Sequence, residues 1–75
     1  MKGTKTFVDL EETLVKRKIL IDDKTRKRVK SFVEIDEITE HKDYIILTRE
    51  IDDSVIVLII KVDGTSEFGV YLKVE

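Results

Sequence analysis

The chain holds one histidine, in the run Glu40-His41-Lys42-Asp43. An imidazole beside a carboxylate is the smallest pairing that can do general acid–base work. Its setting here is that of a solvated turn, and it reads as an exposed turn residue. There is no cysteine, which excludes a thiolate nucleophile and thiolate zinc clusters. Ser31, Ser54 and Ser66 fall at expected strand ends or turns, none in a nucleophile-elbow pattern. Gly3, Gly64 and Gly69 are too scattered to let backbone amides wrap a phosphate. Glu50 with Asp52 and Asp53 offers hard oxygens for calcium, but a calcium loop alternates its acids over about a dozen residues around a glycine. Turn formation, in which Asp bonds its own backbone, explains these acids more simply. No catalytic residue, metal ligand or cofactor is assigned, and the chain reads as not an enzyme.

The polar feature with most content is charge segregation. Residues 1–30 carry ten Lys/Arg against five Asp/Glu, a net of +5; residues 31–75 carry four against eleven, a net of −7, giving the overall −2. Arg17, Lys18, Arg26, Lys27, Arg28 and Lys30 crowd one short stretch. If 15–21 and 26–34 form a hairpin around Asp22–Thr25, Arg17 stands opposite Lys30. Like charges directly opposite destabilise a sheet, so that pair would seek an anion. A basic two-stranded ribbon fits the DNA major groove and supplies phosphate contacts. Against this, single-strand binders usually add aromatic stacking platforms, and Phe32 is the hairpin's only one. The pI near 5.4 also sits below the usual range for nucleic-acid domains. The acidic half can instead neutralise the ribbon within one molecule or across a dimer.

The elements that would hold these residues read mostly as strands. Ile, Val and Thr number 10, 9 and 7, so 26 of 75 residues are β-branched, and alanine is absent. Such side chains lose rotamer freedom in helices and suit a pleated surface. The clearest unit is a C-terminal hairpin, 55–62 returning as 65–74 around Asp63-Gly64, a dipeptide favoured in two-residue type I′ turns. That loop sets Ile59 opposite Phe68, Val57 opposite Val70 and Val55 opposite Leu72, with Tyr71 able to lean over Gly69. Residues 44–50 add a third strand through the polar turn 51–54. Strand 55–62 is apolar on both faces, so a second cover is required for Ile56, Leu58 and Ile60. That cover is the N-terminal third, a second subunit or a partner. Segment 6–14 fits an alternating strand, with a helix capped by Thr6 as the alternative, since Phe7, Leu10 and Leu14 also fit i, i+3, i+7. Residues 35–43 read as an irregular link ending in a turn. The passage 31–47 is similar to the strand–link–strand portion of bacterial pleckstrin-homology-like domains. That resemblance spans under a quarter of the chain, and the closing helix of those domains has no counterpart.

The fold expected is all-β and mainly antiparallel: a single domain over residues 1–75, as a five- to six-stranded partly closed barrel or two-sheet sandwich. The alternative is α+β, with one short N-terminal helix over the sheet. The N-terminus leads into no apolar signal stretch, and the longest apolar run, 55–60, is far short of the ~20 residues that span a bilayer. The expectation is a soluble, intracellular (cytoplasmic) chain with no membrane partner. Absent amides and abundant Lys, Glu, Ile and Val suit a thermostable protein, or equally a designed scaffold with no natural function. The leading functional expectation is a non-catalytic interaction domain, binding a protein partner or a second copy through Ile56, Leu58, Ile60 and Tyr71. The alternative is nucleic-acid or anion binding by the basic hairpin 15–32.

Overall fold

A computed structural model describes residues 7–32 and 34–72. Helix α1 spans Phe7–Lys16 and helix α2 spans Asp23–Lys30. Four strands follow, β1 Glu37–Glu40, β2 Tyr44–Ile51, β3 Ser54–Lys61 and β4 Ser66–Leu72, in one antiparallel sheet of order β1-β2-β3-β4. The fold is therefore α+β with an open sheet, neither a barrel nor a sandwich. The helical alternative lies nearer, with two helices where one was expected. The expected cap Thr6 and the end of the expected last strand, 73–74, lie outside the described residues.

The largest correction falls on 15–32, which holds no hairpin. It is the end of α1, a connector and α2. Asp22 is the N-cap of α2, its side chain accepting the Thr25 N–H at 2.8 Å. An aspartate that caps a helix and one that opens a turn use the same local hydrogen bond, so the residue type alone does not separate them. What separates them is spacing: Thr25, Val29 and Phe32 are buried at i, i+4 and i+7, a helical stripe. The intervening Lys and Arg are good helix formers that have no alternation to offer a strand. The described part of segment 6–14, from Phe7 on, is likewise helical, with Leu10 and Leu14 buried. Its end is a Schellman turn: Ile19 N–H bonds the Leu14 carbonyl at 2.9 Å, Lys18 N–H bonds that of Val15 at 3.1 Å, and Lys18 takes φ 57°. Within the expected link, Glu37–Glu40 is a strand, while the turn after it stands as read, with His41 N–H bonding the Tyr44 carbonyl.

The meander is as expected in order but not in register. The β3–β4 loop has three residues, Val62, Asp63 and Gly64, closed by Gly64 N–H to the Lys61 carbonyl at 2.9 Å with Gly64 at φ 94°. This is the three-residue hairpin pattern, a turn followed by a left-handed glycine. Asp63 fixes it by accepting the N–H and hydroxyl of Thr65 at 2.9 and 2.6 Å. The extra residue slips the pairing by one, to Leu58↔Phe68, Val57↔Gly69, Ile56↔Val70 and Val55↔Tyr71. A one-residue slip transfers every β4 side chain to the other face. Phe68, Val70 and Leu72 therefore share the helix side with Ile56, Leu58 and Ile60, and Tyr71 lies on the open face. It still leans over Gly69, where an added Cβ would meet its ring at 3.0 Å.

The core lies between helices and sheet: Leu10, Leu14, Ile19, Val29 and Phe32 against Ile35, Ile45, Leu47, Leu58 and Ile60. The N-terminal third is thus the second cover that β3 required. On the open face Ile46, Val55, Val57 and Ile59 stay half-buried.

Candidate functional site

Among the six basic residues expected to act together, two are spent on the fold. The Arg17 guanidinium donates to the Lys42 carbonyl at 2.7 Å and reaches that of Tyr44 at 3.5 Å, tying the end of α1 to the β1–β2 turn. Arg28 donates to the Ser66 carbonyl at 2.9 Å and its hydroxyl at 3.1 Å, tying α2 to the start of β4. Lys18 stands in the left-handed turn after α1. Arg26, Lys27 and Lys30 remain exposed on α2, which carries five cations and one carboxylate.

The expected protein-contact set also divides. Leu58 and Ile60 are fully buried under the helices and belong to the core, and Ile56 is half-buried beside them. Tyr71 points from the opposite face and is 60% exposed. A self-covered core cannot be the contact surface, so the corrected register moves attention to β4.

Phe68, Val70 and Leu72, on the helix side of β4, are 46%, 57% and 77% exposed. Their backbone groups point the same question outward. The β3–β4 ladder begins with Lys61 N–H to the Thr65 carbonyl at 2.8 Å. Antiparallel alternation then directs the N–H and C=O of Glu67, Gly69 and Tyr71 toward β3. Those of Ser66, Phe68, Val70 and Leu72 point out of the sheet, and the Ser66 carbonyl is taken by Arg28. The β4 edge thus offers the donors and acceptors of three consecutive outward residues. Its side chains carry one charge, Glu67, ion-paired with Lys61 at 2.8 Å. The other edge, β1, is only Glu37-Ile38-Thr39-Glu40. Shortness and charge protect an edge from pairing, and β4 has little of either.

The acids take structural roles at three places. Asp22 caps α2, Asp63 holds its loop, and Asp36 accepts the Glu50 N–H at 2.6 Å. The hydrogen bonds from Thr25 and Thr65 lower the carboxyl pKa values of Asp22 and Asp63 respectively. His41 stacks on Tyr44 with ring centroids 4.6 Å apart. Among the described residues no three acidic or histidine side chains gather as metal ligands, and no helix is long and apolar enough to cross a membrane.

The open β4 edge was missed because a two-residue loop was assumed; the signal for the longer loop was Thr65, placed two residues after Asp63 to bond its carboxylate. No protein-family model, curated protein or solved structure matches the chain.

Proposed function

We propose that this chain is a non-catalytic interaction domain that binds other protein chains by strand addition along β4. The observation that carries the reading is the coincidence, on one strand, of outward backbone groups and exposed Phe68, Val70 and Leu72. In strand addition, main-chain hydrogen bonds supply affinity and alternate side chains supply selectivity. The test is fluorescence anisotropy with labelled extended peptides of alternating apolar pattern, the 66–72 heptapeptide among them. Val70→Pro is the diagnostic variant. Proline removes only an outward N–H, so the ladder to β3 stays whole while the edge is blocked. Binding that Val70→Pro abolishes, with the far-UV spectrum unchanged, supports the reading. Absence of both peptide binding and self-association removes it.

A second reading, nucleic-acid binding, is favoured by one observation: Lys18, Arg26, Lys27 and Lys30 have no side-chain partner among the described residues. A helix, rather than the ribbon expected, would then present the cations. Its mark is affinity for duplex DNA falling with salt at a log–log slope of about −0.9 per phosphate neutralised. Lys27→Glu with Lys30→Glu should abolish it without touching the Arg28–Ser66 tie. Binding indifferent to those two changes would exclude α2 as the site.

A further inference from the structure

We infer that the chain added to β4 is the β4 of a second copy, antiparallel, with the two-fold axis passing between the two Val70 residues. This rests on the strand-addition reading above and adds the identity and register of the partner.

The register follows from which backbone groups are free. A two-fold antiparallel pair must set outward residues against outward residues as hydrogen-bonded pairs. With Val70 against Val70, Phe68 meets Leu72 of the second copy and Leu72 meets its Phe68. All three free residues of each strand are then used, and nothing else. Moving the centre to Gly69 or Phe68 would call on Ser66, whose carbonyl is already held by Arg28 at 2.9 Å. Moving it to Tyr71 or Leu72 would set Phe68 opposite no described residue, leaving its exposed ring and outward backbone groups unused.

The side chains suit the same register. On the helix side, Phe68 against Leu72 and Val70 against Val70 are apolar pairs, the kind that stabilise a sheet by a few tenths to one kcal/mol each. On the open face, Gly69 stands opposite Tyr71 of the second copy, an aromatic beside a bare glycine. Charge does not oppose the contact. Glu67, the one ionised side chain on β4, lies three residues from the axis, so the two copies of it are separated by roughly 20 Å at about 3.3 Å per residue.

The area is adequate for a modest dimer. An aromatic side chain carries roughly 150–250 Å². At 46% and 60% exposure, Phe68 and Tyr71 alone present on the order of 200 Å². Val70, Leu72 and the strand edge raise this further. Two copies together approach the roughly 1,000 Å² that a specific contact must clear.

The chain's lack of cysteine allows a clean test. In a hydrogen-bonded antiparallel pair the facing Cα atoms lie about 5.5 Å apart, inside the disulfide range. Val70→Cys should therefore yield a covalent dimer under mild oxidation, whereas Leu20→Cys, exposed on the helix connector, should not. Sedimentation equilibrium of the parent should show a concentration-dependent dimer that Val70→Pro converts to monomer. A parent that stays monomeric up to millimolar concentration, or a dimer that Val70→Pro leaves intact, overturns the inference. A monomer that still binds other extended peptides in a Val70→Pro-sensitive way retires the self-pairing and keeps strand addition. A monomer that binds none of them retires both.

Discussion

Gly64 is the position where one added carbon should do most damage. Its φ of 94° suits glycine, and a Cβ there would sit 2.1 Å from the Leu20 carbonyl oxygen, a backbone atom with no rotamer to change. Its own carbonyl accepts the Asp22 N–H at 3.0 Å and the Thr25 hydroxyl at 3.1 Å. For Gly64→Ala, left-handed strain costs about 1–2 kcal/mol. The hairpin tip must also back away from the connector by about an ångström, which pulls both hydrogen bonds out of range at about 0.5–1.5 kcal/mol each. The total is about 2–5 kcal/mol, centred near 3.5. A chain of this length has about 4–11 kcal/mol to lose, at roughly 0.05–0.15 kcal/mol per residue. With a urea slope near 1 kcal/mol/M for a small domain, the midpoint should fall by about 3 M. Gly69→Ala is the control. The atoms nearest its Cβ all belong to the Tyr71 ring, an exposed side chain that can swing into solvent. Lower unfolded-state entropy offsets part of that adjustment, so the change should stay within about 1 kcal/mol of the parent. Urea unfolding followed by far-UV circular dichroism measures both. Equal costs at the two glycines, or a Gly64→Ala loss under about 1 kcal/mol, would refute the argument.

Thr25→Val keeps the shape of a fully buried side chain but removes its bonds to the Gly64 carbonyl and, at 2.8 Å, to the Ser66 hydroxyl; a loss of about 1–2 kcal/mol is expected in the same unfolding assay. Lys18→Gly should do the reverse. Relief of the left-handed strain at φ 57° outweighs the entropy glycine adds to the unfolded chain, for a gain of about 0.5–1 kcal/mol, read as a higher melting temperature. Asp22 and Asp63 have folded pKa values below their unfolded ones, owing chiefly to the Thr25 backbone N–H and the Thr65 hydroxyl. Their contribution is complete above the unfolded pKa, near pH 4, and is lost as the pH falls through the folded values. Melting temperatures of the parent should therefore drop below about pH 4, and the Asp22→Asn, Asp63→Asn double variant should show a shallower fall.

Strands β2, β3 and β4 were legible because their β-branched runs are bounded by turns of recognisable residues, whereas the short, acidic β1 reads as a link. The Ile51-Asp52-Asp53-Ser54 turn stands where it was read, Asp52 at φ 51°. The helices were hidden by composition taken as an average. Val8, Thr13 and Val15 are β-branched residues of α1, and Thr25 and Val29 of α2. Thr25 is there for its hydroxyl, which no propensity scale records. Short helices take most of their stability from packing an apolar stripe rather than from propensity. The stripe Thr25, Val29, Phe32 was the stronger signal, and the charges around it drew the reading elsewhere. The faces of β4 were exchanged by a single residue of loop length. Asp63-Gly64 fits a two-residue or a three-residue loop, and what decides is the local bonding of Thr65 to the Asp63 carboxylate together with a tertiary contact. Here Gly64 is also the seat of the connector, and the pairing slips accordingly.

The same docking explains why β4 is left open. At about 1.5 Å per residue, helices of ten and eight residues are about 15 and 12 Å long, whereas eight-residue strands reach about 26 Å. The hydrogen-bonded ties between the layers at Arg17 on the turn after β1, Asp22 and Thr25 on Gly64, and Arg28 on Ser66 gather at one end. Burial on the helix side declines from that end. In the row Ile38, Leu47, Leu58, Phe68 the central pair is fully buried; in the next, Ile56 is half-buried and Val70 exposed; in the last, Ile51 and Leu72 are both exposed. A helix layer able to cover the last two rows would need more length or a third element. The exposed apolar residues of those rows, Ile51, Val70 and Leu72, therefore lie beyond the helix cover among the described residues. Together with the outward backbone of β4, they are what the proposed strand addition rests on: among the described residues, the end of the sheet that the helices leave exposed.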